Sequence, residues 1–536
     1  MRALLLVESP GGYVLVTDGP PITLSDRESG RTYRFVAGLQ VGDDVYLEQY
    51  EWLSPEVEPR GADVTVIGTG GYTIQGVAEV SILLDDTDDY ADRKTIARGE
   101  LTDIVADSHY WAATVKDDPQ QATGQLLDDR AVVDQTTFPR SDAERVADGD
   151  PAYVSGNIGV DGRIAGAHYP IPIGYPGTRG PLVVSGAIYG DTAIGGPGLL
   201  VETPSIPSAP NAGDATILVA GDRVEATHIR RVSVDSTSGL PLAERIAVRQ
   251  IHDKRGRVVS VVTPTALVVV DSEQWIAWDP ADGGGISDPY APGKVLRQAD
   301  HVIRWALERS GARIDWRQMS ALAALSHIQI DTVINGQVGA LEWLQSEVLP
   351  LLPVSVTHGP RGFYVWPWLI CDDRDAEMTL RVGEGWQRSA DSPWQRPTLG
   401  RPNRVTVAYS HDARSGVATQ RWTLCGHRRA SDATDQTGLD LYARRQFAVW
   451  GERAEQVEAR VICDPATAQH LARWRVWASC RPQLLGTLIS ANGRDDRLRP
   501  GAKVRVIDEG VDAMAQIETV RYTGDNGAAI TVRAWL

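Results

Sequence analysis

The architecture of this chain is most clearly indicated near its end, in the stretch Arg497-Leu498-Arg499-Pro500-Gly501-Ala502-Lys503-Val504-Arg505-Val506-Ile507-Asp508. Pro500-Gly501 is typical of a tight turn. Apolar Val504 and Val506 then alternate with charged Lys503 and Arg505. Alternation with a period of two predicts a strand with one buried face.

A second pair of strands is predicted directly after this one. Residues 515–522 and 528–536 flank a loop that contains Asn526-Gly527, a dipeptide that favours the left-handed conformations of a hairpin turn. The last residues, Trp535-Leu536, are apolar. We therefore expect the final hairpin to be tied into a sheet.

Composition places the chain among ordinary multidomain globular proteins. At about 150 residues per domain, 536 residues predict three or four domains. The net charge of -17 argues against affinity for nucleic acid or anionic lipid. No apolar run reaches the ~18 residues of a membrane span. The opening residues Met1–Val7 favour a first strand over a signal peptide, since Glu8 interrupts a short apolar run.

Local patterns divide the chain into four predicted domains. Residues 1–115 contain short β-branched runs separated by Gly and Pro, and residues 116–265 are irregular and rich in turns. Residues 266–400 carry helical periodicity, and residues 401–536 return to a β pattern. The predicted fold class is mainly β with a helical middle block, an α+β multidomain chain.

Within these domains, several elements have specific start and stop signals. Three helices are predicted, at 300–311 with Asp300 and Gly311 at its ends, at 316–325 after Asp315 with Gln318 as its capping-box partner, and at 338–349 before Pro350. One helix in the last domain begins with Asp464 as N-cap and Pro465 in the first turn. In Tyr169–Gly177 the prolines force an extended backbone, which is typical of an edge strand or of a crossing between domains.

No pattern in the sequence indicates catalysis. The motifs H-E-x-x-H, G-x-S-x-G and the Walker loop do not occur, and Gly68–Thr73 has Thr73 where a dinucleotide fingerprint needs its third glycine. The acidic run Asp85–Asp89 favours a solvated turn over a calcium loop. The chain is therefore predicted to be no enzyme and to need no cofactor or metal.

The cysteines leave one question open. Cys371, Cys425, Cys463 and Cys480 match no compact zinc or redox spacing. Reduced structural thiols are favoured, while a shared iron–sulfur or zinc site and disulfides remain as alternatives.

The order of the domains resembles that of the baseplate hub proteins of tailed bacteriophages. Three stretches carry the resemblance: Leu126–Arg130 leading through Phe138-Pro139 to Tyr169–Tyr175 with its Pro-Ile-Pro strand, Pro402–Tyr409, and Leu498–Val506. By this resemblance residues 1–115 and 401–536 are tube-like β domains. The assembly strands of the C-terminal domain would contain Asn403, Val405, Val407, Leu498, Pro500, Gly501, Val504 and Val506. Residues 402–536 and roughly 1–115 should then share a fold.

The resemblance implies a structural role in a virion. Hubs are homotrimers whose six tube-like domains form a ring at the tail tip. That ring caps the tail tube and joins the distal tail protein, the tail tube or tape measure protein, and a tip, spike or fibre protein. DNA passes through the ring without specific binding, and assembly takes place in the host cytoplasm.

Two other functions remain open at this stage. A virion-associated or secreted cell-wall hydrolase could assemble its site from residues distant in sequence. A carbohydrate-binding adhesin would use a cleft of aromatic residues, and the 16 Trp residues are spread along the chain.

Overall fold

The computed structural model describes most of the chain in segments: residues 2–9, 12–27, 29–41, 44–47, 61–67, 77–83, 89–106, 110–116, 124–127, 132, 168–176, 199–200, 217–234, 241–252, 255–262, 274–278, 283–334, 336, 338–359, 362–368, 376–390, 394–395, 402–411, 416–426, 436–490, 497–523 and 527–535. Strands predominate, as the sequence predicts.

The first region of the chain forms a nine-stranded sheet, in the order β3-β4-β2-β1-β8-β9-β10-β7-β5. Its strands, together with β6, are β1 (Arg2–Ser9), β2 (Gly12–Thr17), β3 (Ile22–Ser25), β4 (Thr32–Ala37), β5 (Leu39–Val41), β6 (Asp44–Leu47), β7 (Gly61–Ile67), β8 (Val77–Leu83), β9 (Lys94–Ala106) and β10 (Tyr110–Lys116). The predicted first strand at Met1–Val7 is therefore confirmed as β1. Its apolar residues do not alternate, because both faces are covered: Leu5 and Val7 lie in one core, and Leu4 and Leu6 in another.

The sheet curls so that consecutive strands β4 and β5, joined at Gly38, lie near opposite ends of its strand order. Strand β4 runs parallel to β2, with Val16 opposite Val36, and β3 lies beyond β4 at the edge. The chain then passes Gly38, whose amide donates to the Thr17 carbonyl, and continues as β5, which pairs with β7 at the other edge. Curling of this kind removes free edges from a sheet.

The middle of the chain adds a six-stranded sheet, in the order β12-β13-β16-β15-β14-β17. Its strands are β12 (Leu199–Leu200), β13 (Ile217–Ala220), β14 (His228–Val234), β15 (Pro241–His252), β16 (Val258–Val262) and β17 (Gln274–Trp278). The extended backbone predicted for the Pro-Ile-Pro stretch is confirmed: β11 (Ile171–Ile173) pairs antiparallel with β18 (Thr332–Ile334).

Helical elements lie where the sequence predicts three helices, although only the first is a regular α-helix. Helix α1 (Ala299–Arg309) ends before Gly311, which has a φ of +70°, but its N-cap is Gln298 rather than Asp300. Residues Gln318–Leu325 form a 3-10 helix, and the Asp315 carboxylate accepts from the Arg317 amide. Helix α2 (Ala340–Trp343) continues as a π-helical turn, Leu344–Val348, before Pro350. The hairpin of β19 (Val354–Gly359) and β20 (Gly362–Pro367) follows.

The last region contains two sheets and two helices, whereas the sequence predicts one helix there. The elements are β21 (Met378–Arg381), β22 (Gln387–Arg388), β23 (Arg404–His411), β24 (Ala418–Cys425), β25 (Gln436–Leu439), α3 (Leu441–Trp450), β26 (Ala454–Glu458), α4 (Pro465–Cys480), β27 (Gln483–Ser490), β28 (Lys503–Asp508), β29 (Val511–Thr523) and β30 (Ala528–Trp535). The predicted start of α4 is confirmed, since Asp464 accepts from the Thr467 amide at 2.7 Å. Helix α3 was not predicted from the sequence. Its apolar residues Leu441, Val449 and Trp450 are exposed, so they do not form a single buried face.

The two sheets of this region belong to different cores. The four-stranded sheet, β25-β24-β23-β26, packs with α4 into the core that also holds the helical elements. The other sheet, β21-β28-β29-β30-β27-β22, shares its core with the N-terminal sheet. Strands β21 and β22 come from the segment that the sequence assigns to the helical block. Among the described residues, no helix is long and apolar enough to cross a membrane.

Candidate assembly surfaces

One arrangement of four strands occurs twice in the chain. Strands β7 to β10 lie in the spatial order β8-β9-β10-β7, and strands β27 to β30 lie in the order β28-β29-β30-β27. In each set a three-stranded meander is followed, in space, by the strand that precedes it in sequence. All of these neighbours are antiparallel. We call β7–β10 the N-terminal unit and β27–β30 the C-terminal unit.

The two units also agree in detail. The third strand is 13 residues long in both, β9 in one and β29 in the other. Each of these long strands has a bulge opposite the fourth strand, at Asp103-Ile104 in β9 and at Glu518 in β29. A short strand pairs antiparallel with the first strand of each unit, β5 with β7 and β22 with β27. The same topology is thus built from two distant parts of the sequence.

Strand β6 connects the two units directly. It leaves the N-terminal sheet after β5 and pairs antiparallel with the end of β29, from Val520 opposite Leu47 to Thr523 opposite Asp44. Side chains of both units fill one hydrophobic core, which includes Val66 and Val80 from the first and Leu488 and Ile530 from the second. Burial of such side chains contributes ~1.5–3 kcal/mol each, so the pair of units is one packed body.

The Pro500-Gly501 turn fixes the C-terminal unit to the β19–β20 hairpin. Gly501 has a φ of +84°, and a Cβ built on it would lie 2.7 Å from the Trp366 ring. The Tyr364 hydroxyl donates to the Pro500 carbonyl at 3.4 Å, and the Gln516 side chain donates to the Pro367 carbonyl at 3.1 Å. The turn is therefore a docking point between two cores, and glycine is needed there for both conformation and space.

A buried polar cluster lies beside the bulge of β29. The Arg533 guanidinium donates to the Glu518 carboxylate and, at 2.9 Å, to the side-chain oxygen of Gln483. The side chains of Arg533 and Glu518 are each 7% exposed. Burial raises the pKa of Glu518, and Arg533 opposes that shift. The cluster links β27, β29 and β30 on the face opposite Val532 and Ile530.

A second buried ion pair holds the Pro-Ile-Pro strand in place. Arg297 contacts both carboxylate oxygens of Asp331, at 2.6 and 2.9 Å, and the Tyr175 amide donates to the same carboxylate at 2.8 Å. The Asp331 side chain is fully buried, and this burial raises its pKa. Because Asp331 is distant in sequence from Tyr175, no local pattern could identify this junction.

The described residues contain no group of three or more His, Cys, Asp or Glu that could hold a metal ion. Cys425, Cys463 and Cys480 form no disulfide with one another. His301 contacts the Asp288 carboxylate at 2.6 Å. Its ring also packs edge-on against Tyr290, so both contacts hold the turn that leads into α1. Cys371, Asp85–Asp88, Gly68–Thr73, Asp128–Arg130 and Phe138-Pro139 lie outside the described residues.

No protein-family model and no curated protein matches the chain. Solved structures that are similar to it include the 43 kDa tail protein of prophage MuSo2 from Shewanella oneidensis, 10% identical, covering 99% of this chain and 97% of that chain with a TM-score of 0.33. A chain of the native gene transfer agent (GTA) virion is 14% identical, covering 72% of this chain and 89% of that chain with a TM-score of 0.39. Prophage tail protein gp18 from Listeria monocytogenes EGD-e is 12% identical, covering 60% of this chain and 91% of that chain with a TM-score of 0.24.

The chain is similar to phage tail proteins. This is the class of protein that the order of its domains resembles. Because these TM-scores are below 0.5, the likeness does not identify a role.

The residues that the resemblance assigns to assembly strands fall into two sheets. Val405 and Val407 are buried in β23, and Asn403 precedes it, with its side chain bonded to the backbone of Gly451 and Arg453. Leu498, Pro500, Gly501, Val504 and Val506 lie on or before β28, in the C-terminal unit. All of them except Gly501 are buried. These residues lie mostly in the interior of the two sheets, whereas no sequence pattern marked β6 or β9.

Proposed function

We propose that this chain is a structural protein of a phage-like tail, and that three copies form a hub at the tail tip. One observation carries the proposal: a single chain contains the same four-strand unit twice, with the two copies joined side by side by β6. Three such chains present six units, the number needed to match a hexameric tube. The repeat also supports the prediction that residues 402–536 and roughly 1–115 share a fold, within the ranges 61–116 and 483–535.

Each of the four predicted domains has a place in the proposed hub. Within the predicted domains at 1–115 and 401–536, the units at 61–116 and 483–535 would carry the ring, with β21 and β22 added from the preceding segment. The domains at 116–265 and 266–400 would hang from the ring through the Pro500-Gly501 contact. Partners would be the distal tail protein, the tail tube or tape measure protein, and a tip, spike or fibre protein.

A channel for DNA is the second part of the proposal. Carboxylates that line a lumen repel phosphate, so a duplex can slide without binding. The net charge of -17 supports a lumen of this kind. The protein would work in the virion, at the tail tip, after assembly in the host cytoplasm.

The mass of the native assembly tests the proposal. Native mass spectrometry of the full chain at micromolar concentration should give three times the chain mass of 58.2 kDa. Negative-stain images of the same sample should show a ring of six lobes around a central opening. A monomer at these concentrations, or a trimer without an opening, would contradict the hub.

A further inference from the structure

A cavity lies beside the turn that joins the two edge strands of the C-terminal sheet. Strand β21 lies at one edge of this sheet and β22 at the other, and residues 382–386 connect them. Within the connection, the Gly383 amide donates to the Trp386 carbonyl at 2.8 Å, and Val382 forms a β-bridge with Trp386. Backbone bonds therefore hold one wall of the cavity in place.

The cavity has the size of a small-molecule site. Its volume is about 450 Å³, and its lining includes Trp386, Gln387, Arg388 and Ser389. Sites for small ligands usually have volumes of ~300–1,000 Å³ and combine an aromatic wall with a few polar groups. Both conditions are met here.

The polar side chains of this lining are largely unused by the protein. The Arg388 side chain is 47% exposed, and one of its nitrogens donates to the Asp508 carboxylate at 3.5 Å. A guanidinium has several further N–H donors, which stay available to a ligand. In the part of the chain that the structure describes, no residue hydrogen-bonds the side chains of Gln387 and Ser389. The cavity thus offers donors and acceptors together with one cation.

The neighbouring carboxylate limits the charge of a ligand. Asp508 has a side chain that is 7% exposed, and it already accepts a hydrogen bond from the Trp394 indole at 2.7 Å. It offsets part of the Arg388 charge from behind. A ligand with two negative charges, such as a phosphate monoester, would meet one cation and a nearby carboxylate. A single carboxylate on the ligand suits the site better.

Trp386 supplies the aromatic wall. It is half-buried and packs against the core that the two units share, so its indole has a fixed support. The C–H groups on one face of a sugar ring form a flat apolar surface that can pack on an indole, while hydroxyls at the ring edge bond to amides and hydroxyls. Gln387 and Ser389 provide such groups at this cavity.

We propose that this cavity binds a saccharide that carries one carboxylate. Arg388 pairs with the carboxylate, the sugar ring packs on Trp386, and the side chains of Gln387 and Ser389 bond its hydroxyls. The binding is non-covalent and reversible. It is a further activity of the C-terminal unit and does not depend on the proposed ring.

Isothermal titration calorimetry of the full chain tests the proposal with three ligands that separate the ring from the charge. Glucuronate has a sugar ring and a carboxylate, glucuronamide has the same ring with a neutral amide, and acetate has the carboxylate without the ring. Glucuronate should bind at least about tenfold more tightly than either of the others, because each of them lacks one of the two contacts.

Two arginine variants provide a matched pair. Arg388→Met should lower the affinity for glucuronate by at least about tenfold and leave the affinity for glucuronamide unchanged. Arg381 lies on β21, before the same turn, and its side chain is 54% exposed. Arg381→Met should bind glucuronate as the wild type does, because Arg381 is not part of the cavity lining.

Trp386→Leu tests the aromatic wall and should weaken the binding of glucuronate and glucuronamide by a similar factor. If this variant does not fold, Gln387→Ala/Ser389→Ala carries the same expectation. The proposal is overturned if glucuronate shows no saturable binding up to about 20 mM. It is also overturned if acetate or glucuronamide binds as tightly as glucuronate, or if Arg381→Met loses as much affinity as Arg388→Met. None of these results bears on the trimer, which the mass of the native assembly tests separately.

Discussion

The N-terminal and C-terminal units have the same strand order but meet their surroundings differently. In the C-terminal unit the long strand β29 is covered by β6, and its bulge residue Glu518 is buried beside Arg533. In the N-terminal unit the bulge residue of β9, Asp103, is exposed. Strand topology alone therefore does not determine which residues contribute to stability. The same bulge is a buried ionic site in one unit and a surface feature in the other.

The buried ion pair should give the largest difference between the units. Arg533→Met leaves the Glu518 carboxylate without its cation, and removal of one partner of a buried pair costs ~3–5 kcal/mol. Asp103→Asn, in the bulge of the other unit, should change the free energy of unfolding by less than about 0.5 kcal/mol. Urea unfolding followed by tryptophan fluorescence measures both. Similar losses for the two variants would show that the bulges are equivalent after all.

The cost of Arg533→Met should also depend on pH. Burial already raises the pKa of Glu518, and loss of Arg533 raises that pKa further. The folded variant then holds the proton more tightly than the unfolded chain does. The contribution of the protonated Glu518 to the stability of the variant is fully present below the unfolded pKa of about 4.3. That contribution is lost as pH rises through the folded pKa. The gap between variant and wild type should therefore widen from pH 4.5 to pH 8. The double variant Arg533→Met/Glu518→Leu should remove this pH dependence.

The second difference concerns how the C-terminal unit is held against the rest of the chain. Gly501→Ala combines a left-handed φ with an overlap against the Trp366 ring, and we expect a loss of ~3 kcal/mol. Gly510, at the other end of β28, has a φ of +73° and open space around it. Gly510→Ala should therefore cost only ~1 kcal/mol. Thermal unfolding by calorimetry compares them, and equal losses would mean that the Trp366 contact yields under the added methyl group.

Local patterns in the sequence predict most of the strands and the start of α4. Val504 and Val506 alternate with charges, and Asp464-Pro465 carries its own capping chemistry, so neighbouring residues suffice. The pairing of β6 with β29 could not be predicted this way. Asp44–Leu47 is a short segment, and its partner lies almost at the other end of the chain. The division of residues 401–536 into two sheets depends in the same way on which distant core each strand enters.

The resemblance implies a shared fold for the first and last domains, and this shared fold stays a prediction. The sequence predicts a shared fold for roughly 1–115 and 402–536, and the common topology covers 61–116 and 483–535. The resemblance groups Asn403 and Val405 with Val504, in stretches that both have a strand pattern. Alternation shows that a residue is inside a sheet but does not show which sheet, and this is why the candidate residues separated.

The smallest expected difference lies between the first two strands of each meander. Glu79 on β8 contacts Arg93 at 2.7 Å and Arg98 at 3.7 Å, with the Glu79 side chain 7% exposed. Arg505 on β28 makes two bonds of 2.8 Å to Asp512 on β29, where the Arg505 side chain is 36% and the Asp512 side chain 56% exposed.

Arg93→Met should therefore cost ~2 kcal/mol, since Glu79 keeps only its longer ion pair and the bond from Ser81. Arg505→Met should be nearly neutral, because solvent and salt screen an exposed pair. Arg505 does lower the pKa of Asp512. The small contribution of this pair should appear as acid titration of the Asp512 carboxylate, resolved by NMR, and should fade at high salt. If Arg505→Met instead destabilises the protein as much as Arg93→Met, the C-terminal meander depends on a surface contact that its N-terminal counterpart does without.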